Sequence, residues 1–321
     1  MLFTAALIWG VSFVAQKAGM EYIGPFTFNG IRFLIGSLAL LPVILIINGI
    51  QKRKTIGQRD DGTIDSKEKK NRKPLIIGGL SCGIILFLAS SIQQLGMVYT
   101  TAGKSGFITA LYIVLVPILG LLGKKKVLPI LWFCVAMATI GLYLLCIQEG
   151  FFISKGDLLV LVSAFGFAGH ILAIGHFSPK ADSIQLAGLQ FLVAGLLSIP
   201  FMLQFETIRW AGIVASTQPI LYAAVMSCGV AYTLQIIAQK DTSPTVASLI
   251  MSLESVIAVA AGIILLGEQV TSREIWGCVI MFAAILLAQY PSKEERLAKA
   301  ESGRTKLSLA YLTSLLTRII K

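Results

Sequence analysis

Long apolar stretches that carry almost no charge follow one another along nearly the whole chain. A helix that crosses a bilayer needs about 20 mostly apolar residues, and within hydrocarbon a helix can pair all of its own backbone polar groups. The sequence therefore predicts an all-α polytopic membrane protein with ten transmembrane helices. We place them at about residues 2–20, 25–50, 74–98, 103–122, 127–147, 156–178, 183–204, 214–238, 243–266 and 271–290.

Composition agrees with this assignment and excludes several other classes. Hydrophobic residues make up 56% of the chain and charged residues only 13%, whereas soluble domains carry about 25% charged residues. The net charge of +11 does not indicate nucleic-acid binding, because the basic residues lie between apolar spans. The five cysteines are not spaced as metal ligands. We therefore predict no metal, no cofactor and no nucleic-acid partner.

The distribution of Lys and Arg predicts the orientation. Basic residues concentrate in loops on the cytoplasmic side of a membrane. With both termini in the cytoplasm, that side receives 21 Lys and Arg, nine of them in residues 51–73, and the other side receives five. We therefore expect a multi-pass plasma-membrane protein, of inner-membrane type, with cytoplasmic N- and C-termini.

The chain contains an internal duplication. The segment IRFLIGSLALLPVIL at 31–45 resembles LQFLVAGLLSIPFML at 189–203, and Ser-Cys-Gly occurs at both 81–83 and 227–229. We therefore predict one five-helix repeat in residues 1–150 and a second in 151–290. Because five is odd, the second copy would enter the membrane inverted. Inverted repeats around a midplane site are typical of secondary transporters; the simpler alternative is that duplication only enlarged a helix bundle.

Three segments resemble a known family. They are ALIWGVSFVAQKAG at 6–19, GFITALYIVLVPILGLLG at 106–123 and SLIMSLESVIAVAAGIILLGE at 248–268, and together they are similar to the EamA-like branch of the drug/metabolite transporter superfamily. The resemblance implies a ten-helix transporter of small metabolites, often an exporter, with a central cavity between its halves. Where the family usually has Leu-Glu-Pro-Val, this chain has Leu253-Glu254-Ser255-Val256, so no proline supports a kink there.

Two charged residues lie within predicted spans. A carboxylate such as Glu254 in the middle of a helix normally faces a cavity, pairs with another group or accepts a proton. We predict that Glu254 binds substrate and couples transport to protons, with a structural carboxyl as the alternative. Arg32 is a candidate charge or gating residue, although it is close enough to the helix end to extend its side chain to the surface.

A second set of candidates consists of polar and aromatic residues on other spans. As a group they could line a hydrated cavity suited to amino acids or similar polar or aromatic solutes, whereas singly each is more often an interhelical hydrogen bond. The predicted substrate-binding residues besides Glu254 are Trp9, Ser12, Gln16, Gln93, Gln94, Thr109, Tyr112, His170, Tyr232 and Gln235.

Three other readings stay open. The same fold could be an uncoupled facilitator or exchanger, or a membrane partner that transports nothing. Gly103-Lys104-Ser105-Gly106 together with His170 also resembles the serine and base of rhomboid intramembrane proteases, but that function would leave the second repeat without a purpose.

Residues 291–321 are predicted to be a cytoplasmic tail that contains an amphipathic interfacial helix. The expected partners are a small-molecule substrate, protons and lipid; the oligomeric state stays undetermined.

Overall fold

The computed structural model describes residues 1–57, 72–122, 129–146 and 154–288. Helices make up nearly all of these residues, and no strand occurs among them. Their bounds are α1 Leu2–Gly19, α2 Pro25–Gly57, α3 Lys73–Met97, α4 Ala102–Thr109, α5 Tyr112–Leu122, α6 Pro129–Cys146, α7 Lys155–Phe177, α8 Ser183–Phe205, α9 Trp210–Ala215, α10 Thr217–Leu221, a π-helical segment Tyr222–Tyr232, α11 Thr233–Ala238, α12 Pro244–Met251, α13 Glu254–Leu266 and α14 Ser272–Ala288.

Eight helical segments in the described part of the chain are long and apolar enough to cross a membrane. Two shorter apolar helices, α6 and α14, pack against each other. The prediction of an all-helical polytopic membrane protein is therefore supported. The exact count of ten spans and the inversion of the repeats stay predictions at this point. The predicted tail and most of the charged segment 51–73 lie outside the described residues.

Two spans that we predicted to be continuous are broken. The helix predicted at 103–122 divides into α4 and α5, and the helix predicted at 243–266 divides into α12 and α13. At each break the chain makes a tight turn: the amide of Ile113 donates to the carbonyl of Ala110 at 3.0 Å, and the amide of Ser255 donates to the carbonyl of Ser252 at 3.1 Å. Neither turn contains a proline, so the break at 252–253 forms without the family's usual Leu-Glu-Pro-Val sequence.

The segment predicted as one helix at 214–238 is also irregular. It consists of α10, the π-helical segment and α11, with α9 preceding them. A π-helical turn widens a helix and shifts which side chains face its neighbours, and such turns are frequent at functional sites. Ser227 and Tyr232 both lie on this segment.

The core forms where α2, α3, α7, α8 and the π-helical segment pack together. Phe33 of α2 and Phe191 of α8 are fully buried and stack with ring centroids 6.1 Å apart and planes 9° apart. Many apolar side chains on the outside of the bundle are exposed, among them Leu45, Leu203 and Ile264. This distribution suits a protein surrounded by hydrocarbon, because lipid solvates apolar side chains that water would not.

Carboxylates join helix ends at one end of the bundle, which we call the capped end; it contains the loops 20–24, 98–101, 206–209 and 267–271. Glu206, which follows α8, accepts hydrogen bonds from the amides of Phe26 and Thr27, both at 2.7 Å, at the start of α2. Glu268, which follows α13, accepts from the amides of Ala102 and Gly103 at 2.7 and 3.1 Å. Helix N-termini leave unpaired amides, and here another helix supplies their acceptors.

Candidate functional site

A cavity of about 50 Å³ lies inside the bundle. Its walls come from α1, α2, α3, α7, the π-helical segment and α11, and from the two broken spans on either side of their breaks. The lining residues are Trp9, Phe13, Gln16, Arg32, Gln93, Thr109, Tyr112, Phe167, His170, Ile171, Ser227, Tyr232, Gln235, Met251 and Glu254.

The structure brings most of the predicted site residues together. All of them except Ser12 and Gln94 line this cavity, and Arg32 lines it as well. Their role in substrate binding stays a prediction. They nevertheless share one space, although they come from seven different spans.

Ser12 and Gln94 do not line the cavity. The side-chain oxygen of Ser12 instead accepts a hydrogen bond from the amide of Gln16 at 3.4 Å. The amide of Gln94 donates to the backbone carbonyl of Gln16, also at 3.4 Å. Both side chains are buried, so they stabilise the packing around α1. Their role in substrate binding stays a prediction.

The sequence reasoning overlooked five lining residues: Phe13, Phe167, Ile171, Ser227 and Met251. Four of them are apolar, whereas the residues predicted from the sequence are polar or aromatic. Helical spacing carried a usable signal, because Phe13 lies four residues after Trp9, Phe167 lies three before His170, and Met251 lies three before Glu254.

Glu254 is buried, with 3% of its surface exposed. It is the first residue of α13, immediately after the break. The hydroxyl of Tyr112 donates to its Oε1 at 2.9 Å, and Tyr112 is likewise the first residue after the break between α4 and α5. The two broken helices therefore meet through side chains at their breaks, and the carboxyl lies where a half-helix N-terminus favours negative charge.

Arg32 does not extend to the surface, although its position near the end of its helix would allow it to do so. Its side chain is 4% exposed. One guanidinium nitrogen donates to the amide oxygen of Gln16 at 2.8 Å. The rings of Phe28 and Phe33 lie 5.6 and 4.7 Å from its central carbon, which suits cation–π attraction. The cavity therefore contains a buried cation as well as a buried carboxyl.

Aromatic rings and amides complete the wall. The rings of Trp9 and Tyr232 meet edge to face with centroids 4.7 Å apart, and His170 lies 5.8 Å from Tyr232. The amide of Gln93 donates to the hydroxyl of Thr109 at 2.8 Å. Such a wall offers flat apolar surfaces together with polar groups of fixed direction.

Three lining residues have a buried polar atom without a hydrogen-bond partner among the described residues: Nε1 of Trp9, Nε of Arg32 and Oε1 of Gln235. Buried polar groups are nearly always paired with protein or ordered water. Unpaired donors and acceptors around one cavity therefore indicate a space that water or a solute occupies.

The serine and histidine that resemble those of rhomboid proteases do not pair with each other in the described part of the chain. His170 pairs through Nε2 with Oε1 of Gln190 at 3.0 Å, and Ser105 Oγ is buried without a partner in the described chain. The serine–base hydrogen bond that nucleophilic catalysis requires is thus not formed between them. Among the described residues, no group of three or more His, Cys, Asp or Glu is placed to hold a metal ion.

Comparison with known proteins decides the family. The model of the EamA-like transporter family matches residues 1–147 and again residues 154–290. The chain belongs to the EamA-like transporter family. It is accordingly a multi-pass membrane protein of a transporter family, and the family resemblance drawn from its sequence motifs is confirmed.

Relatives and a solved structure agree with this EamA-like assignment. An uncharacterized transporter of Archaeoglobus fulgidus is 32% identical over 88% of this chain and 82% of its own length. The uncharacterized transporter YoaV of Bacillus subtilis is 22% identical over 89% of this chain and 94% of its own length. A crystal structure of a protein that is 17% identical superimposes with a TM-score of 0.64 over 90% of this chain and 94% of that chain, which shows a shared fold.

Proposed function

We propose that this EamA-like protein is a secondary active transporter of small metabolites, with amino acids or similar polar or aromatic solutes as its substrates. It works by alternating access at a midplane cavity, and its direction is export. One observation carries the proposal: a cavity lined by aromatic, apolar and polar side chains lies at the breaks of two discontinuous helices, which is where transporters bind their substrates.

The positions of the breaks support a midplane site. Tyr112 and Glu254 are each the eleventh residue of their spans, Ala102–Leu121 and Pro244–Leu266. Both spans also begin after a hydroxyl cap, since Thr101 accepts from the amide of Lys104 and Ser243 accepts from the amide of Val246. Corresponding residues of the two spans are 142 positions apart. This offset relates the capping residues Thr101 and Ser243, the breaks at 110–111 and 252–253, and the facing residues Tyr112 and Glu254.

A second set of matching contacts supports ten spans in two inverted repeats. Phe33 and Phe191, which stack on each other, are 158 residues apart. By the same offset Thr27 corresponds to Gln185, and Asn48 corresponds to Glu206. The hydroxyl of Thr27 donates to Glu206 at 2.6 Å, and the side-chain amide of Gln185 donates to Asn48 at 3.0 Å, so the two hydrogen bonds join corresponding pairs of residues. Reciprocal contacts of this kind are expected when two copies pack around a two-fold axis in the membrane plane.

The two ends of the bundle are held unequally. At the capped end the N-terminus of α2 has its amides paired by Glu206 from the other half. The corresponding helix α8 is capped by its own Asp182, which accepts from the amides of Ile184 and Gln185 at 3.1 Å each. This asymmetry supports a conformation in which the capped end is closed and the opposite end is joined more weakly.

The size of the cavity fits a closed or nearly closed conformation. About 50 Å³ admits water, whereas pockets for drug-sized ligands occupy about 300–1,000 Å³. A bound metabolite therefore requires the helices to move apart. Helix α1 lies close to α13 at Gly10, and α2 lies close to the π-helical segment at Gly36, where an added Cβ would lie 2.5 Å from Ile257 and 2.7 Å from Cys228.

Flux through the purified protein tests the proposal. Proteoliposomes are loaded with a mixed metabolite extract, and the loss of each solute is followed by mass spectrometry against protein-free liposomes. We expect selective loss of one class of small solutes, and no loss with a variant whose cavity is filled, such as Ser227→Trp. Equal loss of every solute from both preparations would contradict a transport function.

Dependence on an imposed pH gradient then separates a proton-coupled transporter from an uncoupled facilitator or exchanger. Flux that responds to the gradient supports coupling, whereas flux that follows only the solute gradient supports the facilitator.

A further inference from the structure

Buried polar atoms without partners continue from the cavity towards the capped end. Asn29 and Gln94 are fully buried, and Ser91 is 5% exposed; all three lie outside the cavity wall. Both polar atoms of the Asn29 side chain, Oε1 of Gln94 and Oγ of Ser91 have no hydrogen-bond partner among the described residues. Since buried polar groups are nearly always paired with protein or ordered water, these atoms indicate a hydrated space beyond the cavity.

This space lies between α1, α2 and α3. Arg32 of α2 and Gln94 of α3 both donate to Gln16 of α1, at 2.8 Å to its side-chain oxygen and at 3.4 Å to its backbone carbonyl. Asn29 lies three residues before Arg32, and Ser91 lies three residues before Gln94. Residues at this spacing share one face of a helix. We call Asn29, Arg32, Ser91 and Gln94 together the polar interface.

The polar interface extends from the cavity nearly to the capped end. Asn29 lies four residues after the first residue of α2, and Gln94 lies three residues before the last residue of α3. At 1.5 Å per residue, they are about 6 Å and about 4.5 Å from those helix ends. Arg32 is one turn deeper on α2 than Asn29 and belongs to the cavity wall, so the set forms a continuous column.

Two neighbouring interfaces at the capped end are apolar. Phe13, Ala102 and Ala258 belong to a buried cluster where α1, α4 and α13 meet. Phe28 and Ile220 belong to another, where α2 meets α10. A solute that moves from the cavity to the capped end therefore meets polar groups between α1, α2 and α3, and apolar packing on either side of them.

Helix packing alone does not require a polar residue at position 29. By the offset of 158 residues, Asn29 of α2 corresponds to Ala187 of α8. Ala187 is fully buried and belongs to the hydrophobic core. Because a buried amide without a partner costs free energy, an asparagine at this position indicates a role other than packing.

Lys17 closes the polar interface at the capped end. Its ammonium donates to the backbone carbonyls of Met97 at 2.8 Å and Val98 at 3.4 Å, where α3 ends. The last carbonyls of a helix lack partners within the helix and carry partial negative charge. Lys17 follows Gln16 directly in α1, so its bond joins the ends of α1 and α3 on the far side of Gln94 from the cavity.

The ammonium of Lys17 has other partners close by. The carboxylates of Glu268 and Glu21 attract the same charge. A lysine carries its charge on a flexible four-carbon stem, so it can leave the carbonyls of α3 and move to a carboxylate. Because the charge is compensated in both positions, the bond suits a contact that opens and closes repeatedly.

We propose that the transport path between the cavity and the capped end runs along the polar interface, and that the bond from Lys17 to the end of α3 is its gate. Water fills the interface while the gate is closed and pairs with Asn29, Ser91 and Gln94. When Lys17 leaves Met97, the ends of α1 and α3 separate and a solute passes. This inference rests on the proposed transport function and assigns the route by which the same cavity reaches one side of the membrane.

The accessibility of single cysteines tests the route. Ser91→Cys places a thiol of similar size in the polar interface. Ser90→Cys is the matched control, because Ser90 is equally buried but donates to the backbone carbonyl of Leu86 at 2.6 Å. Tyr22→Cys, in the exposed loop 20–24, reports which side of the membrane the capped end faces.

A membrane-impermeant trimethylammonium methanethiosulfonate is added to intact cells or to inside-out vesicles, whichever modifies Tyr22→Cys. Modification is measured at each position by peptide mass spectrometry, so the native cysteines do not interfere. We expect Ser91→Cys to react at least about tenfold faster than Ser90→Cys, because a thiol reacts as the thiolate and burial in apolar surroundings suppresses that form.

Variants of Lys17 test the gate. Lys17→Gln should raise the modification rate of Ser91→Cys by about tenfold, which corresponds to the loss of one charge-assisted hydrogen bond, and should leave Ser90→Cys unchanged. Lys17→Arg keeps the charge and should stay close to the parent rate. Lys104→Gln is the control, because Lys104 also lies at the capped end but pairs with Glu274 at 3.1 Å; it should not change the rate at Ser91→Cys.

Equal rates at Ser91→Cys and Ser90→Cys would overturn the route. An unchanged rate in Lys17→Gln, or the same increase in Lys104→Gln, would overturn the gate. If a variant does not fold, Asn29→Cys replaces Ser91→Cys and Lys17→Met replaces Lys17→Gln.

Flux of the metabolite extract separates this inference from the transport function. Selective flux without modification of Ser91→Cys would leave the transport function standing and contradict the route along the polar interface. If no solute crosses, the transport function itself fails, whatever the thiols show.

Discussion

The hydroxyl of Tyr112 donates a 2.9 Å hydrogen bond to the carboxylate of Glu254, and the two residues occupy the same position in two different broken helices. Each is the first residue after its break. The bond therefore joins the two discontinuous spans at their breaks, beside the cavity.

Tyr112→Phe removes this bond while keeping the ring. We expect the free energy of unfolding to fall by about 1–3 kcal/mol, because a buried carboxyl loses a donor, and we expect transport to slow. Denaturation of the detergent-solubilised protein measures the first, and proteoliposome flux measures the second.

Tyr222→Phe is the matched control for that variant. The hydroxyl of Tyr222 donates to the backbone carbonyl of Ile8 at 3.1 Å and does not line the cavity. The Tyr222→Phe variant should lose about 1 kcal/mol of unfolding free energy and keep its transport activity. Equal loss of transport in both variants would argue against a special role for the Tyr112–Glu254 bond.

Glu206→Ala should loosen the capped end. Glu206 accepts two amide bonds and one hydroxyl bond at the start of α2, and loss of a helix cap costs about 0.5–2 kcal/mol. We expect faster amide hydrogen exchange at Phe26 and Thr27, and also faster exchange in cavity-lining segments, because the bonds connect two halves of the protein.

Asp182→Ala provides the comparison for Glu206→Ala. Asp182 caps α8 from within its own half, so its removal should raise exchange at Ile184 and Gln185 and leave the cavity segments unchanged. If both variants raised amide hydrogen exchange in the cavity-lining segments equally, the capped end would not be the closed end of the bundle that we propose.

The sequence was sufficient for the general location of the site but not for its details. Helical spacing put Trp9 and Gln16 on one face, and both line the cavity. The spacing of Trp9 and Gln16 is equally compatible with Ser12 or Phe13 as the third residue of that face. A preference for polar residues selected Ser12, whereas Phe13 lines the cavity. Gln93 and Gln94 are adjacent, so a helix directs them about 100° apart, and only Gln93 reaches the cavity.

The breaks in the two spans and the direction of Arg32 could not be predicted from the sequence. The turns at Ala110–Leu111 and Ser252–Leu253 contain no proline or glycine, so no local signal marks them. They form where neighbouring helices and side chains can pair the freed backbone groups. The burial of Arg32 depends on Gln16, Phe28 and Phe33, and contacts of this kind are visible only once the helices are packed.

Gly262→Ala should displace the carboxylate that caps α4. A Cβ at Gly262 would lie 2.4 Å from Oε2 of Glu268, which accepts the amide of Gly103. We expect a loss of about 1–3 kcal/mol in unfolding free energy from overpacking, and faster exchange at Ala102 and Gly103.

Gly120 offers a control for Gly262→Ala, because it lies 142 residues earlier at the corresponding position of the first broken span. Nothing lies within 4 Å of a Cβ placed there. Gly120→Ala should therefore be neutral or stabilise its helix by about 0.5–1 kcal/mol. A similar loss of stability in both variants would mean that the helix backbone, and not the Glu268 cap, is responsible.

Glu254→Gln should uncouple transport from the pH gradient. Glutamine retains an oxygen that can accept a hydrogen bond from the hydroxyl of Tyr112, so the fold should be kept, but it cannot bind and release a proton.

The other titratable or charged groups that line the cavity are Arg32, Tyr112, His170 and Tyr232. His170 is the competing proton acceptor, so His170→Gln is measured in parallel. We expect an imposed pH gradient to accelerate flux in the wild type and in His170→Gln, and to have no effect in Glu254→Gln. A gradient response that persists in Glu254→Gln and disappears in His170→Gln would transfer the coupling role to the histidine.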